Sequence, residues 1–176
     1  KGLVNLNNCI DYIEKSLNKE EQNEKFLITS GLLRYFIEYS KIHYPVSRAY
    51  LLTLPEGSKK EGIKLLNTAG KSSDIIISNE GNYFLTKIFQ EVEKDYANGL
   101  KYSTHLVNKH PDNILYQFNH YDCLLNLGKK DEAMKALVRI HYLSKSQPQL
   151  TKLQRDYFIN RAKKASEEYY KKQNEK

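Results

Sequence analysis

The chain has 176 residues, 40% of them hydrophobic, and a formal net charge of +7. That length suits one domain or one short run of repeats and is enough to bury a core, and no apolar run approaches the ~20 residues that span a bilayer. Its two cysteines, Cys9 and Cys123, stand far apart, which argues against a disulfide framework and against a thiolate zinc site.

Leu3, Leu6, Ile10, Ile13 and Leu17 recur three and four apart and predict an amphipathic helix over 3–17. A polar break follows at 18–23. Residues 26–44 are apolar on nearly every side, through Phe26, Leu27, Ile28, Leu32, Leu33, Tyr35, Phe36, Ile37 and Tyr39, which marks a central helix. Gly31 inside it costs roughly 1 kcal/mol against Ala, a loss that close packing of another helix would offset. Pro45 ends the segment, because the residue before a proline avoids helical backbone. Residues 46–54 read as a short helix or an irregular connector.

Pro55-Glu56-Gly57-Ser58 is a turn, and Ser58 with Glu61 three residues on reads as a capping box. The helix it opens carries Ile63, Leu66 and Ala69 and stops at Gly70. Ser72-Ser73-Asp74 offers the next N-cap. Ile75-Ile76-Ile77 has the β-branched chemistry of a strand, but no second strand stands ready to pair with it. Tyr83, Phe84, Ile88 and Val92 continue at helical spacing, so helix is expected over 74–94, with Gly81 as a second close-contact position. A helix over 96–108 turns Leu100, Leu106 and Val107 inward and closes at His110-Pro111.

Pro111 suits the first turn of a helix, where a missing N–H costs nothing. Ile114, Phe118, Tyr121 and Leu125 make one apolar face of a helix over 112–127. Gly128 follows Leu127 where a helix ends in a left-handed residue. Asp131 and Glu132 favour the start of the next helix over 130–145, and Ala133, Leu137 and Ile140 extend the apolar face. After Gln147-Pro148-Gln149, a last helix over 150–172 carries Leu150, Leu153, Tyr157, Phe158, Ala162, Ala165 and Tyr169. Residues 171–176 form a charged tail.

The stretch from Pro111 to Leu143 resembles a tetratricopeptide repeat. The matching features are Pro111 at the junction, Leu127-Gly128 at the turn, Asp131-Glu132-Ala133 opening the second helix, and Leu137 and Ile140 within it. The interval from Pro111 to Pro148 is near the ~34 residues of that family's unit. One departure is Tyr121, where the family has a small residue, and it implies wider packing of the first helix. The resemblance implies an all-α fold, a right-handed stack of antiparallel helix hairpins with about seven or eight helices. The whole of 1–176 is then a single helical-repeat domain. Residues 1–70 supply divergent front helices, 74–145 two such hairpins, and 150–172 a capping helix.

Chemistry-bearing constellations are sparse. His105 and His110 fall on different sides of a helix. His120 and Cys123 share a face, but two ligands are not a metal site. The carboxylate pairs Glu20-Glu21, Glu91 with Asp95, and Glu167-Glu168 sit among lysines on helix surfaces and do not face each other across a cleft, as paired acid–base work requires. No glycine-rich phosphate loop and no GxSxG motif is present. No catalytic residue, metal ligand or cofactor site is therefore assigned, and the chain is read as a non-enzyme.

In the tetratricopeptide family, the first helix of each pair lines a concave groove. Carried onto this chain, that implies Asn119, Asp122 and Asn126 as candidate groove residues, with Glu91 from the preceding first helix. Asparagine amides both donate and accept, which suits the main chain of an extended peptide. The lysine–arginine clamp that family members use for a terminal carboxylate is absent at these positions. The expected function is a scaffold or adaptor that binds a protein or peptide. The alternative is a basic-surface binder of nucleic acid or acidic polymer through the C-terminal helix, since the positive excess lies toward that end and 14 tyrosines interleave with lysines. Most of those tyrosines fall on or beside apolar faces, which places nucleic acid second. The chain begins at Lys1 rather than Met, which allows a processed leader or a trimmed start and leaves the compartment open.

Overall fold

The computed structural model describes residues 15, 17, 19–21, 23–44 and 54–174, the side chains of Lys172 and Gln173 excepted. The helix expected over 3–17 lies almost wholly outside these residues. Cys9, Pro45, the connector at 46–53 and the last two residues of the tail also lie outside. Among the described residues the chain is all-α, with seven α-helices and no strand. They are α1 (Lys25–His43), α2 (Lys59–Ala69), α3 (Ile75–Lys87), α4 (Tyr96–Lys109), α5 (Ile114–Asn126), α6 (Lys130–Ser146) and α7 (Lys152–Asn174). A π-helical turn, Ile88–Val92, continues α3. The chain divides into two compact units, Lys1–Leu85 and Thr86–Lys176.

In the first unit α1 packs on α2. Gly31 and Gly62 lie at the crossing. A Cβ on Gly62 would stand 2.6 Å from the Gly31 carbonyl oxygen, and one on Gly31 would stand 2.9 Å from Leu66 Cγ. The missing side chains thus let the two backbones approach, as expected of Gly31. The buried face of α1 is Leu27, Ile28, Tyr35 and Ile37.

Half of the expected capping box forms. Ser58 Oγ accepts the Glu61 N–H at 3.2 Å. Glu61 does not return the bond, because the Ser58 N–H donates to the Arg34 carbonyl of α1 at 2.9 Å. Glu38 Oε2 accepts the Lys59 N–H at 2.6 Å and places a carboxylate at the α2 N-terminus, where the helix dipole favours it. Two acceptors from one helix surface thus reach the start of the next.

Asp74 Oδ1 caps α3, accepting the N–H groups of Ile76 at 2.8 Å and Ile77 at 3.2 Å. The isoleucine run is helical, and only Ile77 of the three is buried. Gly81 packs on the end of α2, where a Cβ would meet the Gly70 nitrogen at 2.5 Å. The Gly70 carbonyl, left over at the helix end, accepts from Ser78 Oγ and from Asn82 Nδ2, each at 2.9 Å.

The second unit is built in sequence order, with α4 on α5, α5 on α6 and α6 on α7. Asp95 Oδ1 caps α4 by accepting the Asn98 N–H at 3.1 Å. That bond and the Asn98 side-chain amide hold the Asp95 carboxyl below its usual range. Asn113 caps α5 by accepting the Leu115 and Tyr116 N–H groups at 3.1 and 3.3 Å. Pro111 therefore stands two residues ahead of the cap, not in the first turn. Its carbonyl accepts Gln117 Nε2 at 2.9 Å.

Between α5 and α6, Gly128 takes a left-handed φ of 69°. Lys129 N–H bonds the Leu124 carbonyl at 3.0 Å and Gly128 N–H bonds that of Leu125 at 3.2 Å, which is the Schellman pattern. So short a connection between helices that pack on each other makes them antiparallel. Their core joins Ile114, Phe118, Tyr121, Leu124, Leu137 and Ile140 to Phe158, Ala162, Ala165 and Tyr169 of α7. The buried stripe of α7 is narrower than the sequence suggests, because Leu153 is 82% exposed and Tyr157 57% exposed. Tyr121 is wholly buried, in one core cluster with the small Ala133, Ala162 and Ala165 of the other two helices.

Candidate functional site

A groove of about 470 Å³ runs between α5 and α7 in the second unit. Its α5 wall presents Phe118 and Asp122, and its α7 wall presents Tyr157, Asn160, Arg161, Lys164, Ala165 and Glu168. Tyr157, Arg161, Lys164 and Glu168 recur at steps of four, three and four. They form a polar stripe beside the buried one of Phe158, Ala162, Ala165 and Tyr169. Burial of the second stripe therefore places the first at the groove.

Phe118 is buried and stacks on Phe158 with ring centres 6.2 Å apart. The Arg161 guanidinium carbon lies 4.1 Å from the centre of the Phe118 ring. Asp122 is half-buried and accepts Gln90 Nε2 from the π-turn at 3.2 Å. Burial pushes its carboxyl up to about 6, against the pull of the Arg161 and Lys87 charges and the Gln90 bond, while Glu168 adds to the rise. The groove thus sets two cations against one exposed carboxylate and one carboxyl that takes up its proton near pH 6 rather than near the ordinary 3.8.

Of the four residues expected at a groove, Asp122 lines this one. Asn119 is buried, 4% exposed. Asn126 is exposed at the end of α5 and donates its amide to the Asp122 main-chain carbonyl at 2.7 Å. Glu91 is on the π-turn and pairs with Lys87 one turn before it. Tyr157, Asn160, Arg161, Lys164 and Glu168 were not singled out from the sequence. Their four–three–four step beside the apolar stripe is the signal that could have found most of them.

A second polar cluster is at α4 and α5. Ser103 Oγ lies 3.2 Å from His120 Nδ1, but Ser103 is wholly buried. Burial lowers the His120 imidazole; Lys129 adds to this and Glu132 opposes it. Cys123 is buried with its Sγ 3.1 Å from where a Cβ on Gly99 would stand, and burial pushes its thiol up to about 11. His120 and Cys123 are thus packed between helices. Among the described residues no group of three or more His, Cys, Asp or Glu gathers as a metal site, and no helix is long and apolar enough to cross a membrane. No protein-family model matches the chain, and neither does any curated protein or solved structure.

Proposed function

We propose that the chain is a non-enzymatic scaffold of the tetratricopeptide-like class, a right-handed stack of hairpins that binds a protein or peptide, with the α5–α7 groove as the docking face. The observation that carries this is the groove itself. It is open, bounded by the first helix of a hairpin and the helix that follows the pair, and lined by two aromatic rings, an amide and charges of both signs. Such a lining suits main-chain and side-chain contacts along an extended peptide. The sequential packing of α4 to α7 supports the same reading. Serine chemistry at Ser103 is disfavoured because no substrate reaches a hydroxyl with no exposed surface.

The basic-surface alternative stands second for a specific reason. The exposed Lys152, Lys163, Lys164 and Lys171 of α7 are interleaved with Asp156, Glu167 and Glu168. Arg155 spends its guanidinium on the carbonyls of Lys145 at 2.8 Å and Gln147 at 3.2 Å.

The test is a paired capture from source-cell lysate at low and high salt. The baits are the wild-type chain, a Tyr157→Ala/Arg161→Glu variant and a Val138→Ala control on the exposed side of α6. A protein retained at high salt by wild type and control, and lost by the groove variant, is the expected result. Retention that ignores the groove variant overturns the docking face. Retention confined to low salt and removed by nuclease favours the basic-surface reading.

A further inference from the structure

The cations of the groove are not equivalent to its acids. Arg161 is stacked on Phe118, and among the described residues no ion pair or hydrogen bond takes its N–H groups. A guanidinium already ordered on a ring loses little freedom when its planar fork meets a carboxylate. Lys164, one turn further along α7, lines the same groove. Most of the positive excess of the chain lies in this unit. These features complement an acidic ligand, while the exposed Glu168 on the same wall faces solvent and opposes it.

Asp122 on the opposite wall opposes such a ligand. The charged and polar groups acting on it are Arg161 and Glu168 from α7, Lys87 from the end of α3, and Gln90 from the π-turn. Lys164 also lines the groove and Glu91 is paired to Lys87. Gln90 is itself 6% exposed, and its Oε1 is buried with no hydrogen-bond partner among the described residues. A second carboxylate entering this half-buried space repels the first. Proton uptake relieves the repulsion, because like charges in one site raise the pKa of the weaker acid. Burial already disfavours the Asp122 carboxylate before any ligand arrives.

We propose that the groove takes an acidic segment of a partner protein, with a side-chain carboxylate seated on Arg161 and Lys164 while Asp122 takes a proton from solvent to admit it. This rests on the peptide-binding reading above and adds the partner's charge and the proton linkage.

The probe is a fluorescein-labelled hexaglutamate peptide with an amidated C-terminus, so that no terminal carboxylate takes part. Its binding is followed by anisotropy at pH 5.8 and 7.8 at one ionic strength, with the fold of each variant checked by circular dichroism. Wild type is expected to bind at least about tenfold tighter at the lower pH, since the competent protonated form is then the major one. Asp122→Asn is expected to bind at pH 7.8 as wild type does at pH 5.8, with little pH dependence left. Arg161→Gln is expected to lose about tenfold or more at both, and Arg161→Lys to recover only part of it. Equal binding by wild type and Asp122→Asn at both pH values overturns the proton linkage while the groove reading stands. A preference for amidated hexalysine or hexaglutamine, lost in Arg161→Gln, overturns the acidic partner and again leaves the groove. Hexaglutamate binding indifferent to Arg161→Gln overturns the site and counts against the groove. Refusal of hexaglutamate at both pH values overturns the proposal, and an oligonucleotide held through Arg161 in its place points to nucleic acid.

Discussion

The Tyr121 hydroxyl of α5 donates to the Ala165 carbonyl of α7 at 2.6 Å, inside the core of the second unit. A phenol this deep needs a partner, and burial raises its pKa accordingly. Tyr121→Phe removes the bond and keeps the ring, and should cost about 1 kcal/mol. Tyr121→Ala also opens a cavity and should cost roughly 3–5 kcal/mol. Chemical denaturation of the two variants checks the order. No loss in Tyr121→Phe would mean the hydroxyl contributes nothing.

Gly62→Ala sets two effects against each other. The helix gains roughly 1 kcal/mol of propensity. The new Cβ, however, meets the Gly31 carbonyl oxygen at 2.6 Å and the Tyr35 nitrogen at 2.8 Å, both of them backbone. Backbone cannot step aside as a side chain can, so the clash wins and the net loss should be about 2 kcal/mol or more. Gly31→Ala meets the Leu66 side chain first and should cost less. Thermal melts of the pair decide it.

Asp122 gives the second unit an unusual pH dependence. Its folded pKa is about 6, above the ordinary value of 3.8, so the folded chain holds the proton more tightly than the unfolded chain does. The penalty is absent below pH 4, grows between pH 4 and 6, and is fully present above pH 6. Asp122→Asn should therefore stabilise the protein by up to about 3 kcal/mol at pH 7.5 and by little at pH 4. Melting temperatures of both proteins across that range test the sign. A variant that is less stable at pH 7.5 would show that the Gln90 bond and the Arg161 charge outweigh burial.

Lys94 has a φ of 55°, between the π-turn and α4. A side chain in left-handed backbone costs about 1 kcal/mol, and glycine is spared that cost. Lys94 is exposed, so little packing is lost on replacement. Lys94→Gly should stabilise by roughly 0.5–1 kcal/mol, less the entropy that glycine adds to the unfolded chain, and Lys94→Val should destabilise. Denaturant midpoints of the two variants should move in opposite directions.

What the sequence determined by itself was local. Asp74, Gly128 and the three–four apolar spacing each act within a few residues, and the helices lie where these features put them. Ile75-Ile76-Ile77 stays helical because a strand needs a partner and a helix needs only its own backbone, here capped by Asp74. Gly31 was legible as a contact position, but its partner was not, since Gly62 is distant in sequence. Tertiary structure decided the rest. Glu38, not Glu61, completes the α2 cap, because α1 brings a carboxylate to that helix end. The π-turn that carries Gln90 to Asp122 has no sequence signature of its own. The groove exists because Phe158, Ala162 and Ala165 bury one stripe of α7 in the core shared with α5 and α6, which turns the adjacent stripe of Arg161 and Lys164 toward Asp122. Helical periodicity follows from bonds four residues apart, whereas the meeting of Phe118 with Arg161 depends on packing between helices that a single chain of letters does not display.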